Sequence, residues 1–120
     1  MRQRRFLRLA ALCARRSAYM HKVGAVLACG PSLIASGHNK IRTHPASTNE
    51  WRTLHAELDA LLAAGPRALG ATLYVTRVSA AGKLLLAKPC ESCASALRAR
   101  GVKEIYYTNA NSELMREAVA

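Results

Sequence analysis

The chain has 120 residues, of which 51% are hydrophobic and 21% charged. That is enough apolar material for one core, too little chain for two, and not the composition of a disordered segment. Lys and Arg number 18 against 7 Asp and Glu, a formal net charge of +11, so a partner or substrate carrying negative charge is expected.

Residues 1–49 hold nine basic side chains and no acid. Within them Phe6, Leu9, Ala10, Cys13 and Ser17 fall at i, i+3, i+4, i+7 and i+11, one stripe of a helix over roughly residues 2–20 with arginines on its other faces. Arg4–Arg5–Phe6–Leu7 has the outline of a twin-arginine leader. Arg8 interrupts the apolar run, however, and Arg15–Arg16 ends it with no cleavage pattern after it, so the segment reads as a first helix. Its charge reads either as a solvated helix face or as a surface for a polyanion.

Two short apolar runs, Val23–Cys29 and Leu33–Gly37, flank Gly30–Pro31–Ser32 and predict a hairpin. Gly24, Gly30, Pro31 and Gly37 break up this region, the most apolar of the chain, so no membrane-spanning helix is expected. Residues 39–53 are polar, with Pro45 and a lone Trp51, and predict a long loop of the kind that carries function. Leu54–Ala64 predicts a helix that Thr53 could cap and Gly65–Pro66 ends. Ala71–Val78 reads as a strand, Gly82 as a turn and Lys83–Ala87 as a second short strand. Pro89 opens a helix that runs through Arg100, Lys103–Thr108 is a strand, and Ser112–Val119 a closing helix. This order of elements predicts an α/β sandwich around a mixed sheet, in a single domain over residues 1–120.

Four cysteines are too few for a disulfide scaffold. Without a signal peptide they place the protein in the reducing cytoplasm and leave thiolates available for metal. Cys13 and Cys29 lie on apolar faces and are expected in the core. Cys90 and Cys93, in Pro89–Cys90–Glu91–Ser92–Cys93, sit three apart at a helix start, where both sulfurs share a face and the dipole favours thiolate. His55, in His55–Ala56–Glu57, opens another helix. One imidazole and two thiolates form a zinc set with one tetrahedral position open, which water would take. Glu57 is the candidate to carry that water's proton, provided His55 lies in or before the irregular first turn, because i and i+2 diverge by about 200° in a regular helix. A structural zinc clamp would use the same cysteines but needs a fourth ligand, for which His21, His38 and His44 are available.

These residues resemble the zinc-dependent cytidine/deoxycytidylate deaminase superfamily, with its H-x-E and P-C-x-x-C signature. The resemblance extends through Val23–Gly24–Ala25–Val26–Leu27, Ser36–Gly37–His38–Asn39, Leu73–Tyr74–Val75–Thr76 and Gly101–Val102–Lys103–Glu104–Ile105, with 32 residues between Glu57 and Cys90. It implies a three-layer α/β/α sandwich with a mixed sheet of about four to five strands. It also implies zinc on His55, Cys90 and Cys93, with Glu57 as proton shuttle, and substrate contacts from Asn39 and the backbone N–H of Ala56. His44, in the loop that forms the pocket mouth in relatives, is either a further substrate contact or a plain loop residue. Trp51 is either a platform for a base or a packing or subunit contact. Two features depart from the family: residues 77–88 intervene before the cysteine motif as an added hairpin, and no fifth strand is evident at the chain's end.

The implied activity is hydrolytic deamination of a cytosine nucleotide, dCMP-like, by a zinc-dependent hydrolase that is expected to form homo-oligomers. One alternative is a deaminase that edits cytosine or adenine in single-stranded DNA or tRNA, with the basic end as its backbone track. Another is a zinc-containing binding module without catalysis, against which Glu57 argues.

Overall fold

A computed structural model describes residues 2–18, 22–41 and 53–119. Helix α1 (Arg2–Ala14) is followed by strands β1 (Lys22–Cys29), β2 (Ser32–His38), β3 (Lys40–Ile41) and β4 (Thr53–Leu54). Next come helix α2 (Ala56–Ala64), β5 (Thr72–Val78), β6 (Leu84–Leu85), α3 (Glu91–Ala99), β7 (Glu104–Thr108) and β8 (Leu114–Ala118). The main sheet has six strands in the order β2-β1-β5-β7-β8, with β6 added to β5. Only β5 and β7 are parallel.

β5 is the spine of this sheet. It pairs with β1 from Thr72 to Val78; along its other edge it pairs with β7 from Thr72 to Val75 and with β6 at Arg77 and Val78. Strand alternation then sorts side chains into two cores. Ala25, Leu27, Leu73 and Val75 join Ala56, Leu61, Cys93 and Leu97 on the side of α2 and α3. Val26, Ala28 and Tyr74 join Phe6 and Ala10 on the side of α1. Phe6 is 1% exposed, a burial worth about 2 kcal/mol, and its ring meets Tyr74 at 5.1 Å, which in turn stacks on Tyr106 at 5.2 Å. The architecture is the expected α/β/α sandwich, with more strands than foreseen.

Several boundaries differ from the sequence reading. α1 stops at Ala14 because the chain tightens there: the Arg16 N–H donates to the Cys13 carbonyl and that of Ser17 to Ala14. α2 begins at Ala56, with His55 as its N-cap, because Leu54 and Thr53 pair with Lys40 and Ile41 instead of entering the helix. Residues 39–53 are therefore not wholly a loop at their two ends. α3 begins at Glu91 with Cys90 as N-cap, so Pro89 precedes the helix. Cys29 is exposed, not in the core: it is the last residue of β1, at the hairpin turn.

The largest correction is at the end of the chain, where Ser112–Val119 is not a helix but contains β8, antiparallel to β7. Glu, Leu, Met, Arg and Ala are good helix formers, yet the edge of β7 offers a full ladder of partners. The Asn109 side chain fixes the turn that reaches it, with its Oδ1 accepting the N–H groups of Asn111 and Glu113. The fifth strand of the sheet that the sequence hid is this one.

Gly24 is where α1 meets the sheet. A Cβ there would run into the Ala10 carbonyl and the Ala14 N–H. Gly24→Ala is expected to lift α1 off β1 and destabilise the fold by about 2 kcal/mol or more, measured by urea unfolding; an unchanged midpoint would contradict this packing.

Candidate active site

Two helix starts converge at the end of β5. The β3–β4 pair brings Leu54 beside Lys40, which sets His55 next to the Asn39 segment. The parallel β5–β7 pair with α3 between its strands brings Cys90 to the same end. His55 is an N-cap with extended backbone (φ −68°, ψ 150°), and no side chain caps the helix. The imidazole is thus not used as a cap, and the requirement that His55 precede the regular helix is met. Cys90 is the N-cap residue of α3 in the same extended conformation, φ −72° and ψ 170°, and its side chain does not cap the helix.

The three donors come together across the fold. His55 Nδ1 lies 3.1 Å from Cys93 Sγ and 3.7 Å from Cys90 Sγ, and all three donor atoms fall within 4.8 Å of one another. A tetrahedral zinc at ordinary bond lengths holds a nitrogen and a sulfur about 3.6 Å apart, so donor chemistry and spacing both fit. Among the described residues no fourth His, Cys, Asp or Glu joins the group. His38 is not among them; its backbone N–H donates to Asp59 on α2. Residues His21, His44 and Trp51 lie outside the described residues.

The thiols differ in environment. Burial pushes the Cys90 thiol up, but hydrogen bonds with Ser92 and with the backbone and thiol of Cys93 outweigh it and hold it below the usual range. Cys93 is fully buried, and burial, reinforced by Glu57 and Cys90, pushes its thiol far up when no metal is present. A cation among these groups would reverse that, because it stabilises thiolate directly.

Glu57 is 6% exposed on the inner face of α2. Burial raises its carboxyl above the ordinary carboxylate range, opposed by its own backbone N–H, by His55 and by a hydrogen bond with Cys93. It is a buried carboxyl beside the donor triad.

A cavity of about 360 Å³ opens over this cluster. Asn39, Ala56, Glu57, His55 and Cys90 all line it, so five expected site residues share one space. Ala56 presents a first-turn N–H that has no acceptor within the helix. Asn39 is pinned twice to Val23: its Oδ1 accepts the Val23 N–H at 2.9 Å and its own N–H donates to the Val23 carbonyl at 3.1 Å. Asp59 holds both of Asn39's neighbours, accepting from the His38 N–H at 3.2 Å and pairing with Lys40 at 2.8 Å.

Arg77 and Lys88 complete the cavity wall and were not foreseen individually. The signal for them was the 77–88 insertion. It is indeed a hairpin, with β6 folded back on β5 and then strapped across β7: Thr108 donates to the Leu85 carbonyl at 2.6 Å and Ala87 N–H to the Thr108 carbonyl at 2.9 Å. Lys88 is held by Glu117 of β8 at 3.1 Å, and Glu117 also accepts from Tyr107.

A sandwich that presents one imidazole and two thiols at two helix starts, beside a buried carboxyl and an open cavity, defines the class of zinc-dependent nucleobase deaminases. The profile of the cytidine and deoxycytidylate deaminase zinc-binding region matches residues 1–109, and the chain belongs to that family. Among solved structures it is similar to the dCMP deaminase of cyanophage S-TIM5 in apo form, at 27% identity over 90% of this chain and 82% of that one, TM-score 0.67. The same phage enzyme in complex with dCMP and dUMP gives 26% identity, with coverage of 90% and 81%, and a TM-score of 0.67. A cytidine deaminase from Burkholderia pseudomallei shares the fold, with a TM-score of 0.75 at 18% identity over 99% of this chain and 94% of that one. Among curated protein sequences none matches.

Purified protein is expected to hold about one zinc per chain, measured by elemental analysis after gel filtration. A zinc-reconstituted sample that stays well below that ratio would contradict the donor set.

Proposed function

We propose that this protein is a zinc-dependent hydrolase that converts a cytosine nucleotide, dCMP-like, to the uracil nucleotide with release of ammonia. The observation that carries this reading is the placement of the buried Glu57 carboxyl beside the His55, Cys90 and Cys93 donors, at the floor of a cavity whose wall also bears Arg77 and Lys88. In it His55, Cys90 and Cys93 hold the metal. Zinc bound by such a set supplies the nucleophile, by bringing the pKa of water down to about 7.

The remaining work falls to the chain's own groups. Glu57 takes one proton of water and delivers it to the ring nitrogen next to C4 as the water oxygen bonds to C4, then takes the second proton from that oxygen and delivers it to the exocyclic nitrogen. The bond from C4 to that nitrogen breaks, a bond from C4 to oxygen remains, and ammonia leaves. The raised proton affinity of Glu57 suits a group that must both accept and return a proton. The Ala56 N–H is placed to donate to the base and Asn39 to bond base or sugar, while burial of the carboxyl excludes bulk water from the proton path.

Arg77 and Lys88 supply positive charge for a 5′-phosphate, which favours a nucleotide over a nucleoside. A free nucleotide is also favoured over a base in DNA or tRNA, because α1, which carries much of the basic excess, lies on the sheet face opposite the cavity. A role in nucleotide metabolism in the cytoplasm and assembly into homo-oligomers belong to the same reading. Among the described residues no helix is long and apolar enough to cross a membrane.

Glu57→Gln is expected to retain zinc while ammonia release from dCMP falls by at least about 10²-fold to 10⁴-fold; retained turnover would refute the shuttle. Arg77→Gln is expected to raise KM for dCMP about tenfold or more, the loss of one charged hydrogen bond, with little change for deoxycytidine. Equal effects on both substrates would remove the phosphate assignment while leaving the deaminase reading intact.

A further inference from the structure

We infer that the outer face of α1 is a docking surface for nucleic acid, bound through its phosphodiester backbone and separate from the catalytic cavity. Arg4, Arg5, Arg8, Arg15 and Arg16 are all exposed on α1 and the turn that follows it. Arg4, Arg8 and Arg15 fall within about 40° of one another around the helix axis, and so form one stripe about 17 Å long at the helical rise. None of these three forms an ion pair with a described carboxylate; the described ion pairs involve Lys40, Lys88 and Arg116. Arg5 is occupied, donating to the Pro31 carbonyl and lying over the Phe6 ring.

This pattern works against the helix that carries it. α1 has no acid in its first turn, and Arg4 and Arg5 stand where the helix dipole is positive. Arg4 and Arg8 are four apart, the spacing at which like charges repel. Such a face gains from a ligand that neutralises it. Phosphodiesters do so at regular intervals, and guanidinium pairs with phosphate oxygens in a two-pronged geometry.

The shape beside the stripe fits a strand. A groove of about 510 Å³ runs between α1 and the β7–β8 turn, with Arg4 and Arg8 on one wall and Thr108 and Ser112 on the other. Glu113 also lines that second wall, which places phosphates on the helix side. An anionic membrane fits less well. An interfacial helix needs a free apolar face, whereas Phe6, Ala10 and Ala14 of α1 are buried against the sheet. A basic cluster on one face of a domain with pI about 10.3 is the electrostatic footprint of nucleic-acid binding.

Because α1 and the donor triad lie on opposite faces of the sheet, the bound strand and the small substrate occupy different places. The inference therefore does not depend on which base the enzyme deaminates.

The test is fluorescence anisotropy with labelled DNA and RNA single strands of about 20 nucleotides, from about 50 to 200 mM salt. It compares the wild-type protein, the triple variant Arg4→Gln/Arg8→Gln/Arg15→Gln, and a charge-matched control, Arg67→Gln/Arg100→Gln/Lys103→Gln, which removes three exposed cations elsewhere. The α1 variant is expected to bind at least tenfold more weakly, with a log–log salt slope shallower by about 2, near 0.7 per lost phosphate contact. The control is expected to bind within about twofold of wild type, and saturating oligonucleotide to leave KM for dCMP unchanged. Equal weakening in both variants, competition between oligonucleotide and dCMP, or tighter binding to phosphatidylserine vesicles than to either strand would each overturn the inference. Circular dichroism and zinc content of the variants separate loss of binding from loss of folding.

Discussion

The arrangement of this protein depends on bringing three donor atoms to one point from positions as far as 38 residues apart. Neither helix can do this alone. Cys90 and Cys93 come together locally, as N-cap and third residue of α3, but the imidazole arrives from the start of α2, and only the sheet fixes the distance between the two helix starts. β5 does the fixing, since it pairs with β1 along one edge and with β7 and β6 along the other. A slip of one residue in any of these registers would exchange the two cores and carry the thiols away from His55.

The helix starts are suited to this task because they are left chemically open. An ordinary N-cap side chain bonds the first-turn N–H groups. His55 and Cys90 hold those positions without a side-chain cap bond, which leaves ring and thiol in the donor cluster and the first-turn N–H groups of α2 open. The cost is local, about 1 kcal/mol per cap forgone, and α2 offsets it by burying nearly its whole length: Ala56, Leu58, Ala60, Leu61 and Ala64 are all in the core. A helix this buried also holds Glu57 out of water, and that is the cause of its raised proton affinity.

Cavity-lining groups are held from a distance in the same way. Asp59, one turn into α2, pins both neighbours of Asn39, while Thr108 and Glu117, on the two last strands, position the 84–88 strap that carries Lys88. Strand β8 thus contributes to the cavity without reaching it. The basic character of the chain divides between two places: Arg77 and Lys88 at the cavity, and α1 across the sheet.

Much of this was legible in the residues. His55, Cys90, Cys93 and Glu57 were marked by short motifs whose chemistry is local, Asn39 and Ala56 only by the family resemblance, and helices and strands with a clear apolar period were found at nearly their true places. What failed did so for one reason. In 112–119 the residues favour a helix, but the edge of β7 and the Asn109 turn decided for a strand; Leu54, the first residue of the expected helix, was drawn with Thr53 into a two-residue strand by Lys40 and Ile41; Cys29, on an apolar run, was left outside at the hairpin turn. The sequence by itself determined which atoms can bind metal and carry a proton, because that is a property of side-chain chemistry at short spacing. Only the tertiary structure decided which of its many cations face the cavity and which face away from it, because the sides of a sheet are assigned by strand pairing between distant segments.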